Sequence, residues 1–236
     1  MKHVEKDLKS PLVREAMIRL AVSEKYDDDP RVRDIIRTLY HGCCAYCECK
    51  PEAGSSFEIE HFYIKKKGVY PEEYATDIRN LHYSCKACNT KKSTNKADLF
   101  LSPNYRVDTN GKWYDTPSSD IENSIRYKDY LLVTLNTDSG RGASTVAKLQ
   151  LNDRPYLVES RIRCYSQVYK LLQATSDILG TYARTQEDAP AKKKALIILF
   201  GLIKSHISDE AEFSTMIIQN FGVQIEQLLK VWKKIK

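Results

Sequence analysis

Two Cys-x-x-Cys pairs, Cys44-Ala-Tyr-Cys47 and Cys85-Lys-Ala-Cys88, lie far apart in this chain. A two-residue gap lets both thiolates of a pair turn onto one ion, and four thiolates make a closed tetrahedral zinc site. Any fold of this chain therefore has to bring residues 44–47 and 85–88 together. The cysteine count is seven, an odd number. The N-terminus, Met-Lys-His-Val-Glu-Lys-Asp, is charged and lacks the apolar core of a secretory signal. Cytoplasmic localisation is thus expected, where paired thiols bind metal rather than form disulfides. Cys44, Cys47, Cys85 and Cys88 are the expected structural zinc ligands. Cys43 and Cys49 are spare, with a pairing through Cys49 as the alternative. No apolar run approaches the ~20 residues of a membrane span. The longest, Ala195 to Ile203, reads as a buried helix, and no membrane partner is expected.

Between the knuckles the chain is unusual in a second way. Phe57-Glu-Ile-Glu60-His61 alternates like a short strand and ends on an acid–His pair. Residues 62–79 form a long connection, and a loop of that length inside a compact domain is usually functional. Asn80 follows, then a second short strand over Leu81–Ser84 and a helix starting near Cys88 that carries Asn89, Lys91 and Lys92. From His61 to Lys96 there are eight Lys/Arg against three acids, whereas residues 1–42 carry nine basic and eight acidic residues. Much of the formal +6 charge thus sits on the motif-bearing segment, as polyanion binding requires. Lys65, Lys66, Lys91 and Lys92 are the expected phosphate contacts, the last two favoured by a helix start. Phe62, Tyr63 and Tyr70 have two readings, base stacking or core.

Phosphodiester hydrolysis needs an activated water and stabilisation of the leaving oxyanion. Adjacent strand residues point to opposite sides, so Glu60 and His61 need not share a role. His61 is the expected general base. Asn80 would hold its imidazole, or the loop carrying it. Glu60 and Asn89 would give oxygen ligands to a divalent ion, Mg2+ or Mn2+.

The rest reads as scaffold, with docking of a partner as the alternative for residues 154–236. Helices are expected over 11–24, with Leu12, Met17, Leu20 and Ala21 on one face, and over about 30–41, capped from Asp27-Asp28-Asp29-Pro30. Tyr130–Leu135 reads as a strand that, with Tyr105–Val107 and Lys112–Tyr114, forms a small sheet or hairpin. Asp138-Ser-Gly-Arg-Gly142 reads as a turn, since it lacks the ending of a phosphate loop. From about 154 the chain is helical: Ile162, Tyr165, Tyr169, Leu172 and Ile178 keep helical spacing, Gln186–Pro190 is a break, and residues 225–236 are amphipathic. The expectation is an α+β, mostly helical protein. Its segments are N-terminal helices (1–42), a core with zinc knuckles (43–100), a loop and small-sheet extension (101–153) and a C-terminal helical bundle (154–236).

The set Cys44, Cys47, Glu60, His61, Asn80, Cys85, Cys88 and Asn89 resembles the zinc-containing HNH (ββα-metal) endonuclease family. The third motif residue is Asn89 where many members have His, and the first acid is Glu60 where many have Asp. Glu58-Ile-Glu60-His61-Phe62, Asn80-Leu81, Ser84-Cys85, Cys88-Asn89, Lys92-Ser93 and Ser144–Asn152 are similar to the nuclease subunits of Septu-type antiphage systems, some encoded beside retrons. That resemblance implies an antiphage effector nuclease with a PtuA-like ABC-type ATPase as partner, and a retron reverse transcriptase with its RNA/DNA product as a further one. DNA is the first expectation for the substrate. A toxin-like RNase on the same scaffold and a non-catalytic zinc-knuckle nucleic-acid-binding protein are the alternatives, for the lysine clusters serve DNA and RNA phosphates equally.

Overall fold

The computed structural model describes residues 1–23, 26, 29–51, 56–135, 140–185 and 188–235. Asp27, Asp28, residues 52–55, Asp138 and Gln186 lie outside that set, as do the sequence readings that fall on them. The class is α+β. The chain divides into two compact units, residues 1–126 with 132–154, and residues 127–131 with 155–236.

The first unit begins with an extended segment and two helices, α1 (Pro11–Val22) and α2 (Pro30–Leu39). Ser10 caps α1 by accepting from the Val13 N–H, and Asp29 caps α2 by accepting from Arg31, each with proline at the first helical position. The buried face of α1 is Val13, Ala16 and Leu20; Met17 is exposed. The expected stripe through Met17 and Ala21 is thus rotated, because α1 packs on α2 and on the turn Ile78–Asn80. From α2, Val32, Ile35 and Ile36 enter the core, each contributing about 1.5–3 kcal/mol by burial.

The central hairpin pairs β1 (Phe57–His61) with β2 (Leu81–Cys85), antiparallel, in the register Phe57–Cys85, Glu60–His82 and His61–Leu81. The seven-residue helix α3 (Lys86–Lys92) follows β2 directly and packs on both strands. Two short hairpins complete the β structure. One joins β3 (Tyr105–Val107) to β4 (Trp113–Asp115), the other β5 (Ile125–Lys128) to β6 (Leu131–Thr134). The three segments expected in one small sheet or hairpin are thus divided between two hairpins. The Asp108 carboxylate accepts from the Asn110 and Lys112 N–H groups and closes β3 onto β4, while β6 takes β5, a strand whose alternating burial was not recognised. Helices α4 (Ser118–Glu122) and α5 (Arg141–Lys148) end this unit, so Arg141 and Gly142 open a helix rather than belong to a turn.

The second unit holds α6 (Pro155–Arg184), α7 (Ala189–Ile207) and α8 (Ser214–Ile235). Val168, Leu172, Leu179, Leu196, Phe200 and Trp232 are core residues, with the Phe200 and Trp232 rings stacked at 5.8 Å. Ile162 and Tyr169 are exposed, and α7 is not buried all round: Ile197, Ile198 and Leu202 face out. A 19-residue helix in a three-helix unit has two neighbours to cover it, which leaves one side open.

Candidate metal centre and catalytic hairpin

The first knuckle is a tight turn. Cys44 N–H donates to the Cys49 carbonyl at 2.9 Å, and Ala45 N–H donates to the Tyr83 carbonyl at 2.8 Å, so the turn is stitched onto β2. Cys85 is the N-cap of α3, its sulfur accepting from the Cys88 N–H at 3.4 Å. The sulfurs of Cys44, Cys47, Cys85 and Cys88 all lie within 4.8 Å of one another, and all four residues are buried. Cys47 Sγ and Cys85 Sγ are 3.8 Å apart. A tetrahedral ion with Zn–S bonds of about 2.3 Å sets its sulfurs about 3.8 Å apart, so the four thiols fit a structural zinc. Cys49 Sγ lies 3.2 Å from Cys47 Sγ but stands outside the four-sulfur set. Arg154 was not foreseen: its Nη2 donates to Cys88 Sγ at 3.2 Å. Burial opposes its charge, but the sulfurs of Cys88, Cys47 and Cys85 hold it firmly protonated. A guanidinium there would offset part of the net negative charge that four thiolates on one dication carry.

Glu60 is enclosed. The Tyr46 hydroxyl donates to Oε1, His82 Nδ1 lies 3.3 Å from the same oxygen, and Lys92 Nζ lies 3.0 Å from Oε2. Burial penalises its charge, yet Lys92, His82 and Tyr46 hold the carboxyl down at about 2. His82 Nε2 continues to Asn104 Oδ1 at 3.0 Å, and Asn104 donates to the Tyr40 hydroxyl at 2.7 Å. Burial pushes His82 down to about 4. Tyr46, His82, Asn104 and Tyr40 form a buried polar chain that spacing alone did not single out. The strand register, which sets His82 opposite Glu60, is the signal that leads to it.

Lys92 is not a surface phosphate contact. It is 1% exposed and also donates to the His61 carbonyl at 2.6 Å. Moreover, α3 begins at Lys86, so Lys91 and Lys92 fall in its last turn, away from the end that favours phosphate. Lys65, Lys66 and Lys91 are exposed, and the Lys65 ammonium lies over the Tyr26 ring at 4.4 Å. Phe62 and Tyr63 are core, with Tyr63 packed against Tyr70, Tyr74 and Trp113.

His61 closes β1. Its Nε2 lies 2.9 Å from the Ala75 carbonyl, and Tyr26 meets its ring edge-on at 4.4 Å. A carbonyl only accepts, so Nε2 carries the proton and Nδ1 keeps the lone pair. Burial lowers the pKa of His61, which favours the neutral ring. Asn80 makes no hydrogen bond to that ring. Fully buried, it accepts from Tyr63 N–H at 2.7 Å and donates to the Tyr63 and Tyr74 carbonyls, both at 2.9 Å. Tyr74 and Ala75 belong to one 3-10 turn, Glu72–Thr76, so Asn80 fixes the turn that offers its carbonyl to His61. Lys6 braces the same place, donating to the Ile78 and Leu81 carbonyls on either side of Asn80, at 2.8 and 2.6 Å. Asn89 is half-buried and donates to Glu58 Oε2 at 2.6 Å. Its amide oxygen suits a hard cation, whereas the enclosed Glu60 carboxylate does not meet one without first releasing Lys92.

A knuckle-bearing hairpin followed by a short helix, with a histidine at the strand end, defines the class. Residues 44–95 match the family described as HNH endonuclease, and the chain carries that domain. Beyond the domain, the chain is similar to two proteins named Septu protein PtuB. It is 32% identical to that of Bacillus thuringiensis over 151 residues, covering 61% of this chain and 51% of the relative. It is 26% identical to that of Bacillus mycoides (strain KBAB4) over 239 residues, covering 90% and 80%. The chain thus spans about half the length of the Bacillus thuringiensis relative in that match. No solved structure matches.

Proposed function

We propose that this protein is a metal-dependent HNH endonuclease acting as the effector of an antiphage complex. The observation that carries the reading is His61, held at a strand end by the Ala75 carbonyl with Nδ1 as its basic nitrogen, inside the matched domain. His61 takes a proton from the attacking water. Asn80 keeps the Glu72–Thr76 turn, and with it the imidazole, in place. Lys65, Lys66 and Lys91 draw the nucleic-acid backbone to the site by charge. A bound Mg2+ or Mn2+ would stabilise the leaving oxyanion, with the Asn89 amide oxygen among its ligands. The four cysteines hold zinc and fix hairpin to helix. The similarity to Septu proteins supports the defence role and a PtuA-like ABC-type ATPase as partner.

The test is cleavage of plasmid, single-stranded DNA and RNA with Mg2+, Mn2+ or EDTA, by the chain alone and with an operon-neighbour ATPase. Cleavage in the metal arms that disappears with EDTA and with His61→Ala is expected. Cleavage that persists in His61→Ala would overturn the assignment.

A further inference from the structure

Helix α7 has one side that its own unit leaves bare. Leu196, Phe200 and Ile203 enter the core, with α6 and α8 as neighbours. On the opposite side Ile197, Ile198 and Leu202 are 54%, 55% and 46% exposed, and Lys194, Gly201 and Ser205 are exposed with them. Steps of three and four residues put these on one face, apolar in its middle.

Gly201 stands within that apolar stretch. A glycine inside a helix is destabilising relative to alanine. Gly142 in α5 has a packing reason, since a Cβ there would stand 2.7 Å from the Ser124 carbonyl oxygen. A Cβ at Gly201 would meet nothing within 4 Å. The notch beside Ile198 and Leu202 therefore opens outward, where the lack of a side chain lets a facing helix come close.

Charge selects the occupant. Lys192, Lys193 and Lys194 lie near the start of α7, and Asp209 and Glu210 follow its end. Lys194, Asp209 and Glu210 are exposed. Gly201 comes seven residues after Lys194 and eight before Asp209. A second α7 laid antiparallel across Gly201 thus sets the basic end of each copy on the acidic end of the other, with the apolar stretches between. A parallel pair would set like charges together. Such a self-complementary patch is what a two-fold dimer requires.

We propose that this face of α7 docks a second copy of the chain, paired antiparallel about Gly201. One helix face is small against the ~800 Å² per partner of a stable interface, so dissociation is expected on the order of tens of micromolar.

The experiment is sedimentation velocity of the full zinc-loaded chain, from micromolar to near-millimolar concentration, with circular dichroism of every variant. Wild type is expected to dimerise at the upper end and to dissociate as salt is raised. Ile198→Glu and Gly201→Leu should each weaken self-association roughly tenfold or more. Gly201→Leu should melt no lower than wild type, because the added side chain meets nothing in its own fold. Lys194→Glu alone, and Asp209→Lys with Glu210→Lys alone, should stay monomeric. Their equimolar mixture should dimerise, since both end contacts then join opposite charges. A wild type that is monomeric throughout overturns the proposal, as does a folded Ile198→Glu or Gly201→Leu that dimerises like wild type. A mixture no more dimeric than its parts overturns the antiparallel pairing and the proposal with it. A monomeric chain that binds an operon-neighbour ATPase, and loses it with Ile198→Glu, gives the face to that partner and overturns the proposal too.

Discussion

Asn80→Asp changes one atom type in a fully buried side chain and separates its two jobs. The acceptor for the Tyr63 N–H survives, since an oxygen still stands where Oδ1 stood. The donor to the Tyr63 and Tyr74 carbonyls does not. Each buried carbonyl left without its donor costs about 1–3 kcal/mol. The introduced carboxyl can recover one of the two bonds by taking up a proton, but burial then raises its folded pKa above the ~3.9 of an unfolded aspartate. Its effect is fully relieved below ~4 and grows as pH rises through the raised folded value, by about 1.4 kcal/mol for each unit of rise. At pH 8 the total is about 3–5 kcal/mol, on the order of a 10 °C fall in melting temperature for a chain of this size. Thermal unfolding of wild type and variant at pH 5 and pH 8 checks this. The deficit should be clearly larger at pH 8, and cleavage should fall with it because the turn carrying Ala75 O is freed. A deficit below about 1 kcal/mol at both values, or one that shrinks as pH rises, would refute the role given to Asn80.

Five further outcomes are expected. His61→Ala should lower kcat about 10²- to 10⁴-fold. In the wild type, the acid limb of the rate profile should lie below pH 6.5, since burial lowers the His61 pKa and the base works only when neutral; a limb above 6.5 contradicts the burial seen here. Cys85→Ser should reduce zinc from about one per chain to near none by elemental analysis. Arg154→Met should speed zinc loss to a chromogenic chelator about 10- to 100-fold, and an unchanged rate removes it from the metal centre. Lys6, pushed by burial from 10.5 down to about 7, contributes stability that is full above pH 10.5 and lost as pH falls through 7. Urea unfolding at pH 7.5 and 8.5 should therefore show wild type gaining about 1 kcal/mol on Lys6→Met over that step; parallel curves would refute it.

The knuckles were legible because their signal is local: a two-residue gap already forces two thiolates onto one ion. So were β1, β2 and the three C-terminal helices, whose periodicity survives in the structure. What escaped depends on pairing at a distance. His82 looks like any strand histidine until the register sets it across from Glu60. Tyr26 gains meaning only when its ring meets that of His61, and Arg154 only when it meets Cys88. Lys92 misled because lysine is usually solvated, and nothing in Lys91-Lys92 says which of the two turns inward. Met17 and Tyr169 keep the helical spacing and are nonetheless exposed, since periodicity gives a face and the neighbouring element chooses which face it covers.

Cys88 and Lys92 stand four residues apart on one side of α3, one gripping the knuckle and the other the end of β1. With less than two turns of helix between them, they form a rigid crank. Any shift of Cys88 is therefore passed to Lys92, and through it to Glu60 and to the backbone of His61. The four-cysteine cluster and the strand end that carries the acid–His pair are thereby yoked through about one turn of helix.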